Sequence, residues 1–186
     1  MLQLYTGTTS HFTAGYPLRK ESDIPATLQD CIHQHGAPNS LISDGAEIEI
    51  GKSILEILRF YKIGQFRSEP EHQNQNKAER QIQDIKRTVN MVMDRTNTPA
   101  VFWLLCTLFV IDWHNHLALR SLGDITPIEK MTTQHPDISK FLHFRWWEPV
   151  YFYDSDASFP HPHTKERLGR WVGVKQWTQT SIVCTV

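Results

Sequence analysis

Alternating apolar and polar positions open the chain. Leu2-Gln3-Leu4-Tyr5-Thr6 and Phe12-Thr13-Ala14-Gly15-Tyr16, separated by a Gly/Thr/Ser turn, predict an antiparallel strand pair that Pro17 ends. The period then changes. Ser22 and Asp23 precede Pro25 as helix-start signals, and Leu28, Cys31 and Ile32 recur at helical spacing until Gly36 and Pro38 stop the segment. Leu41-Ile42 centres a brief buried strand, with Asp44 at its carboxyl end and Gly45 permitting a sharp exit. Ile54, Leu55, Leu58 and Tyr61 form the next apolar stripe, which Gly64 closes before an edge strand around Gln65–Arg67.

Ser68 to Asn76 contains no large apolar side chain, so it is expected to be a surface loop. From Lys77 to Arg95 the pattern predicts a long helix. Ala78, Ile82, Ile85, Val89 and Val92 fall on one face, and Glu79, Gln83, Lys86 and Asn90 on another. A second helix, Ala100 to Leu119, is apolar almost all round at its start and is therefore expected to be buried. Thr126-Pro127-Ile128-Glu129 combines a capping Thr, Pro at the first helical position and Glu at the third, and announces one more helix. Beyond it the composition turns β-rich. Trp146–Tyr153 is aromatic and strand-like, Asp154–Thr164 is a Pro/His loop, Leu168–Val174 is a Gly-punctuated strand, and no periodicity is evident from Lys175 onward. The class is α/β, with a core over residues 1–133 and a small β-rich extension over 134–186.

The chain has 186 residues, 40% of them hydrophobic and 21% charged, which are ordinary globular proportions. The apolar run Val101–Ile111 is too short to span a bilayer and Leu2–Phe12 lacks the basic start of a secretion signal, so a soluble intracellular protein without membrane partners is expected. Cys31, Cys106 and Cys184 lie far apart with no CxxC pair, which points to reduced, packed thiols. A net charge of −1 and a pI of about 6.8 exclude a global positive field as the means of holding nucleic acid; any such contact is local.

Asp44 and Glu79 stand 35 positions apart, one at a strand end and one in the first turn of a helix. Packed side by side they outline a site in which carboxylates hold two divalent ions for phosphodiester chemistry. On spacing alone, the plainer reading of two acids out of twenty is that both are solvated near element ends.

The surroundings of the pair change that balance. Ser43-Asp44-Gly45-Ala46-Glu47, the polar loop and Asn76-Lys77-Ala78-Glu79-Arg80 resemble the second and third carboxylate motifs of the integrase catalytic core of copia-type retrotransposons. The resemblance continues, in the family's order, through Tyr16-Pro17-Leu18, Gly36-Ala37-Pro38, Pro99-Ala100-Val101-Phe102-Trp103, Asn115 and Thr126-Pro127-Ile128-Glu129. It implies a ribonuclease H-like fold in which Asp44 and Glu79 are ligands to Mg2+ or Mn2+, two ions in the complete enzyme. The implied activity is processing of element DNA ends and their transfer into target DNA, in the nucleus, by a homo-multimer.

Gln83 and Lys86, on the helical face of Glu79, are placed to meet a phosphate or base, and Arg80, Arg87 and Arg95 widen that surface. The plain alternative for each cation is a solvated surface charge. The family carries a first metal-binding aspartate on an opening strand, farther upstream than the 43 residues that precede Asp44 here, and a His/Cys zinc domain before that. The first strand pair then matches the second and third strands of the family core. The resulting expectation is an integrase fragment inactive on its own, or alternatively a non-catalytic DNA- or protein-binding remnant of the scaffold.

Three HxH pairs, His33/His35, His114/His116 and His161/His163, invite a zinc reading. Residues two apart on a helix face different ways, and none of the pairs has an obvious further ligand, so a structural metal is not expected there. The aromatic run is expected to pack rather than to stack on bases.

Overall fold

The computed structural model describes residues 1–43, 51–67, 77–154, 165–175 and 180–185. The chain forms two compact units, Met1–Gln83 and Asp84–Val186, with the division inside one helix.

In the first unit, β1 (Leu2–Thr6) and β2 (Thr13–Pro17) pair antiparallel, with Leu2 opposite Pro17 and Thr6 opposite Thr13. A short 3-10 turn at Glu21–Asp23 leads into α1 (Ile24–His35). Gly36 ends that helix at φ 87°, a conformation that suits glycine, and its N–H returns to the Ile32 carbonyl at 2.8 Å. β3 (Ser40–Ser43) and β4 (Gly64–Arg67) run parallel on either side of α2 (Gly51–Phe60), with Ser40 opposite Gly64. Every element that hydrophobic spacing predicts over residues 1–67 is present. Asp44, Gly45 and the loop Ser68–Asn76 lie outside the described residues.

The apolar stripes of α1 and α2 meet in one cluster, Leu28, Ile32, Ile57, Leu58 and Ile63, against which Tyr5 of β1 and Leu41 of β3 also pack. Fully burying each of these aliphatic side chains contributes roughly 1.5–3 kcal/mol. The strands above the cluster do not form one sheet: among the described residues β1–β2 and β3–β4 are separate two-stranded sheets.

Helix α3 (Lys77–Thr96) carries the boundary between the units. In the second unit a 3-10 turn at Ala100–Phe102 leads into α4 (Trp103–His116), followed by α5 (Pro127–Thr132). The Thr126 hydroxyl accepts the Glu129 N–H at 3.1 Å, the cap that the Thr-Pro-Ile-Glu sequence predicts. β5 (Pro149–Tyr153), β6 (Glu166–Lys175) and β7 (Thr180–Cys184) form an antiparallel sheet in that order. Gly169 is required there, because a Cβ would lie 2.4 Å from Val183 Cγ1 and 3.2 Å from the Phe152 ring.

Trp146 and β6 pack on α4. Phe109 lies edge-on to Trp171, ring centres 5.6 Å apart, and 5.0 Å from Trp146. The aromatic run differs from its expected form, since only Pro149–Tyr153 is strand. Trp147 has φ 64°, and both indoles are buried in the turn before the strand, with Trp146 Nε1 donating to Thr98 Oγ1 at 3.0 Å. No helix of the described residues is long and apolar enough to cross a membrane.

The last turn of α4 pairs the buried His116 with the half-buried Asp112. His116 donates Nδ1–H to the Asp112 carbonyl at 2.7 Å and lies 3.7 Å from its carboxylate. Burial pushes the Asp112 carboxyl up to about 6, which the His116 imidazole only partly offsets. A carboxyl that holds its proton more tightly when folded stabilises the fold fully below its ordinary value of 3.8, and that contribution is lost as pH rises through about 6. Thermal melts should therefore show stability falling across this window in the native chain, and a flatter profile in Asp112→Asn.

Candidate functional site

Glu79 occupies the first turn of α3, where the unpaired N–H groups favour a negative charge. It is exposed, and Gln83, one turn on, donates Nε2–H to its Oε1 at 3.4 Å. Arg80, Gln83, Lys86, Arg87 and Asn90 are exposed as well, while Ile85 and Val89 are buried, so the polar and apolar faces divide as the sequence predicts. Arg87 is tied to Asp84 by an ion pair one turn back, which offsets its charge. Among the described residues neither Arg80 nor Lys86 has an ion-pair partner. Asp44 follows the last residue of β3 in sequence and lies outside the described residues.

One residue near this site escapes sequence reasoning. Gln81, only 8% exposed, donates Nε2–H to the His11 carbonyl at 3.1 Å and to Thr13 Oγ1 at 2.9 Å. It ties the first turns of α3 to the start of β2 and so positions the helix end that carries Glu79. In sequence it is one of several glutamines in a polar segment, and nothing marks it as buried.

The other singled-out groups have ordinary surroundings. His33 Nε2 meets the Tyr61 hydroxyl at 3.0 Å, whereas the His35 ring packs on Phe12 with centres 4.9 Å apart, so this pair turns to different neighbours. Burial holds the His35 imidazole below its usual range. His161 and His163 lie outside the described residues. Within the aromatic run Trp146, Trp147 and Val150 are buried, while Tyr151 and Tyr153 face solvent.

The second unit holds a cavity of about 710 Å³ whose wall includes Val92, Phe109, Trp113, Phe141 and Trp146. Its lining is mostly apolar, and none of Glu79, Arg80, Gln83, Lys86 and Arg87 contributes to it. Among the described residues the candidate site is an exposed helical face.

A solved structure shares this architecture. A chain of the simian T-cell lymphotropic virus intasome in complex with PP2A regulatory subunit B56 gamma matches it with a TM-score of 0.56 and 14% identity, over 100% of this chain and 76% of that one. The fold is integrase-like. At this identity the likeness is one of fold alone. No protein-family model matches the chain, and no curated protein does.

Within the integrase-like fold, the Gln81 clamp makes a direct prediction. Gln81→Leu removes the amide donor from the His11 carbonyl and from the Thr13 hydroxyl, which keeps its contact with Thr6 Oγ1, and should destabilise the chain by about 1–3 kcal/mol in urea unfolding. Gln81→Glu should recover part of this loss at most, because a carboxylate can accept the Thr13 O–H but cannot donate to the His11 carbonyl.

Proposed function

We propose that the chain is part of the catalytic core of a copia-type retrotransposon integrase, ribonuclease H-like in architecture, which engages DNA along α3 and does not complete a transfer site by itself. The observation that carries this reading is the exposed row Glu79, Gln83 and Lys86 at the start of α3 in an integrase-like fold. The ordered motifs around Asp44 and Glu79 add to it.

Each side chain has a distinct part. Lys86 and Arg80 neutralise backbone phosphates, Gln83 meets a phosphate or base edge, and Arg87 contributes less because Asp84 holds it. Asp44 and Glu79 supply hard oxygen donors, which suit Mg2+ or Mn2+. When bound, such ions activate an attacking oxygen and stabilise a leaving one. Two carboxylates fall short of the ligands that two ions need. Further protein donors, from other segments or other copies in a multimer on DNA ends, complete the site.

Fluorescence anisotropy on a short DNA duplex across a salt series tests the binding half. Lys86→Ala and Arg80→Ala should each weaken binding and lower the slope of log K against log salt by about 0.9, the value for one phosphate contact. Glu79→Gln should leave binding in place. Salt-independent binding, or none, would overturn the DNA reading. A magnesium-dependent strand-transfer signal from this chain alone that vanishes in Asp44→Asn would overturn the incomplete site.

A further inference from the structure

The cavity of the second unit is built from two helical rows and one irregular segment. Asp84, Thr88 and Val92 stand at successive turns of α3, and Phe109, Trp113 and Leu117 at successive turns of α4, so each helix presents one row to it. The third wall is the run from Phe141 to Trp146, which leads from a 3-10 turn at Ser139–Leu142 toward β5.

The walls differ in chemistry. Each α4 ring is doubled by a ring of that run: Trp113 lies 5.7 Å from Phe141, and Phe109 lies 5.0 Å from Trp146, centre to centre, both pairs tilted. Two ring pairs one helical turn apart thus make an aromatic wall. The α3 wall is aliphatic, with Ile85, Val92 and Thr88, whose hydroxyl donates to the Asp84 carbonyl of its own helix at 2.9 Å. Of the charged lining residues Asp84 and Arg145 are exposed, which places them at the mouth, and the Glu148 carboxylate accepts the Arg145 N–H at 2.7 Å.

We propose that this cavity is a binding site for a small, uncharged, flat aromatic molecule of two or three rings, seated on the Phe109–Trp146 and Trp113–Phe141 wall and covered by Ile85 and Val92. Rings in offset or edge-on contact gain more than their buried area accounts for, so the aromatic wall selects rings over alkyl chains. A rigid molecule also gives up less internal freedom on binding than a flexible one. The volume of about 710 Å³ falls among those of small-molecule sites. A partner helix, about 10 Å across, would fill it within about two turns, too little to anchor such a segment. The site does not rest on the DNA reading, since Glu79, Gln83 and Lys86 do not line it.

The probe is N-phenyl-1-naphthylamine, uncharged and bright only in apolar surroundings, titrated into the full chain. It should bind one molecule per chain with a Kd below roughly 200 μM. 2-Naphthol should displace it at about fivefold lower concentration than 1-decanol, which has the same number of non-hydrogen atoms and one hydroxyl. Thr88→Trp fills the cavity from α3 and should weaken probe binding about tenfold or more. Methyl NMR on the native chain provides an independent reading: the signals of Val92, Val110 and Leu117 should shift with the probe, and those of Leu28 and Ile57 should stay in place. Absence of binding, shifts confined to residues outside the cavity, or an unchanged Kd in Thr88→Trp would overturn the site. Displacement by 1-decanol at the lower concentration would overturn its aromatic class. Loss of probe binding as the chain is concentrated would also overturn it, because a second copy would then be the occupant.

Discussion

Five aliphatic side chains on α1, α2 and the turn after α2 hold the first unit together: Leu28, Ile32, Ile57, Leu58 and Ile63. The strands need this cluster more than it needs them. β3 and β4 are parallel, a pairing that two strands cannot make through a tight turn, so the chain must cross over through α2. β1 and β2 form a hairpin whose Tyr5 reaches the same cluster and bonds through its hydroxyl to Thr27 of α1 at 3.0 Å. Each sheet is thus secured through the helices. The start of α3 joins the same unit by a different device, the buried amide of Gln81 on β2.

The second unit rests on aromatic packing. Trp171 is fully buried, Phe109 bridges it to Trp146, and the Trp146 indole finds a hydroxyl partner in Thr98. Among the described residues the Trp171 indole N–H has no hydrogen-bond partner, a desolvation cost that surrounding contacts offset. Main-chain bonds between Trp147 and Trp171, and between Trp171 and Glu148, lock the turn that holds the tryptophans. The outward tyrosines of β5 are left as solvent-facing residues of a sheet whose other face is committed to the core.

Much of this is legible in the residues because burial imposes a period. The stripes on α1, α2 and α3 stand out since one face of each meets an apolar neighbour, and the Thr126 cap stands out since its chemistry is local. β7 is missed because Thr180, Ser181 and Ile182 are exposed and Val183 only half-buried, so no alternation marks the strand. Trp146 and Trp147 mislead because aromatic residues favour strands in general, whereas these two fill a turn against α4 and the 3-10 turn before it. Of the candidate site, the exposed face of α3 is readable from its charge pattern. The Gln81 clamp is not, since its two acceptors lie 68 and 70 positions away in sequence. The antiparallel pairing of β1 with β2 is legible from the turn between them, whereas the parallel pairing of β3 with β4 joins residues on either side of α2 in sequence.

Native-state hydrogen exchange on Leu58→Ala tests most directly whether the α1–α2 cluster governs the first unit. If it does, the opening free energies of the β1–β2 and β3–β4 amides fall together with those of α1, by a common amount of about 2–5 kcal/mol. Retention of full protection in either sheet while α1 loses its own would contradict the account, because that sheet would then stand without the cluster.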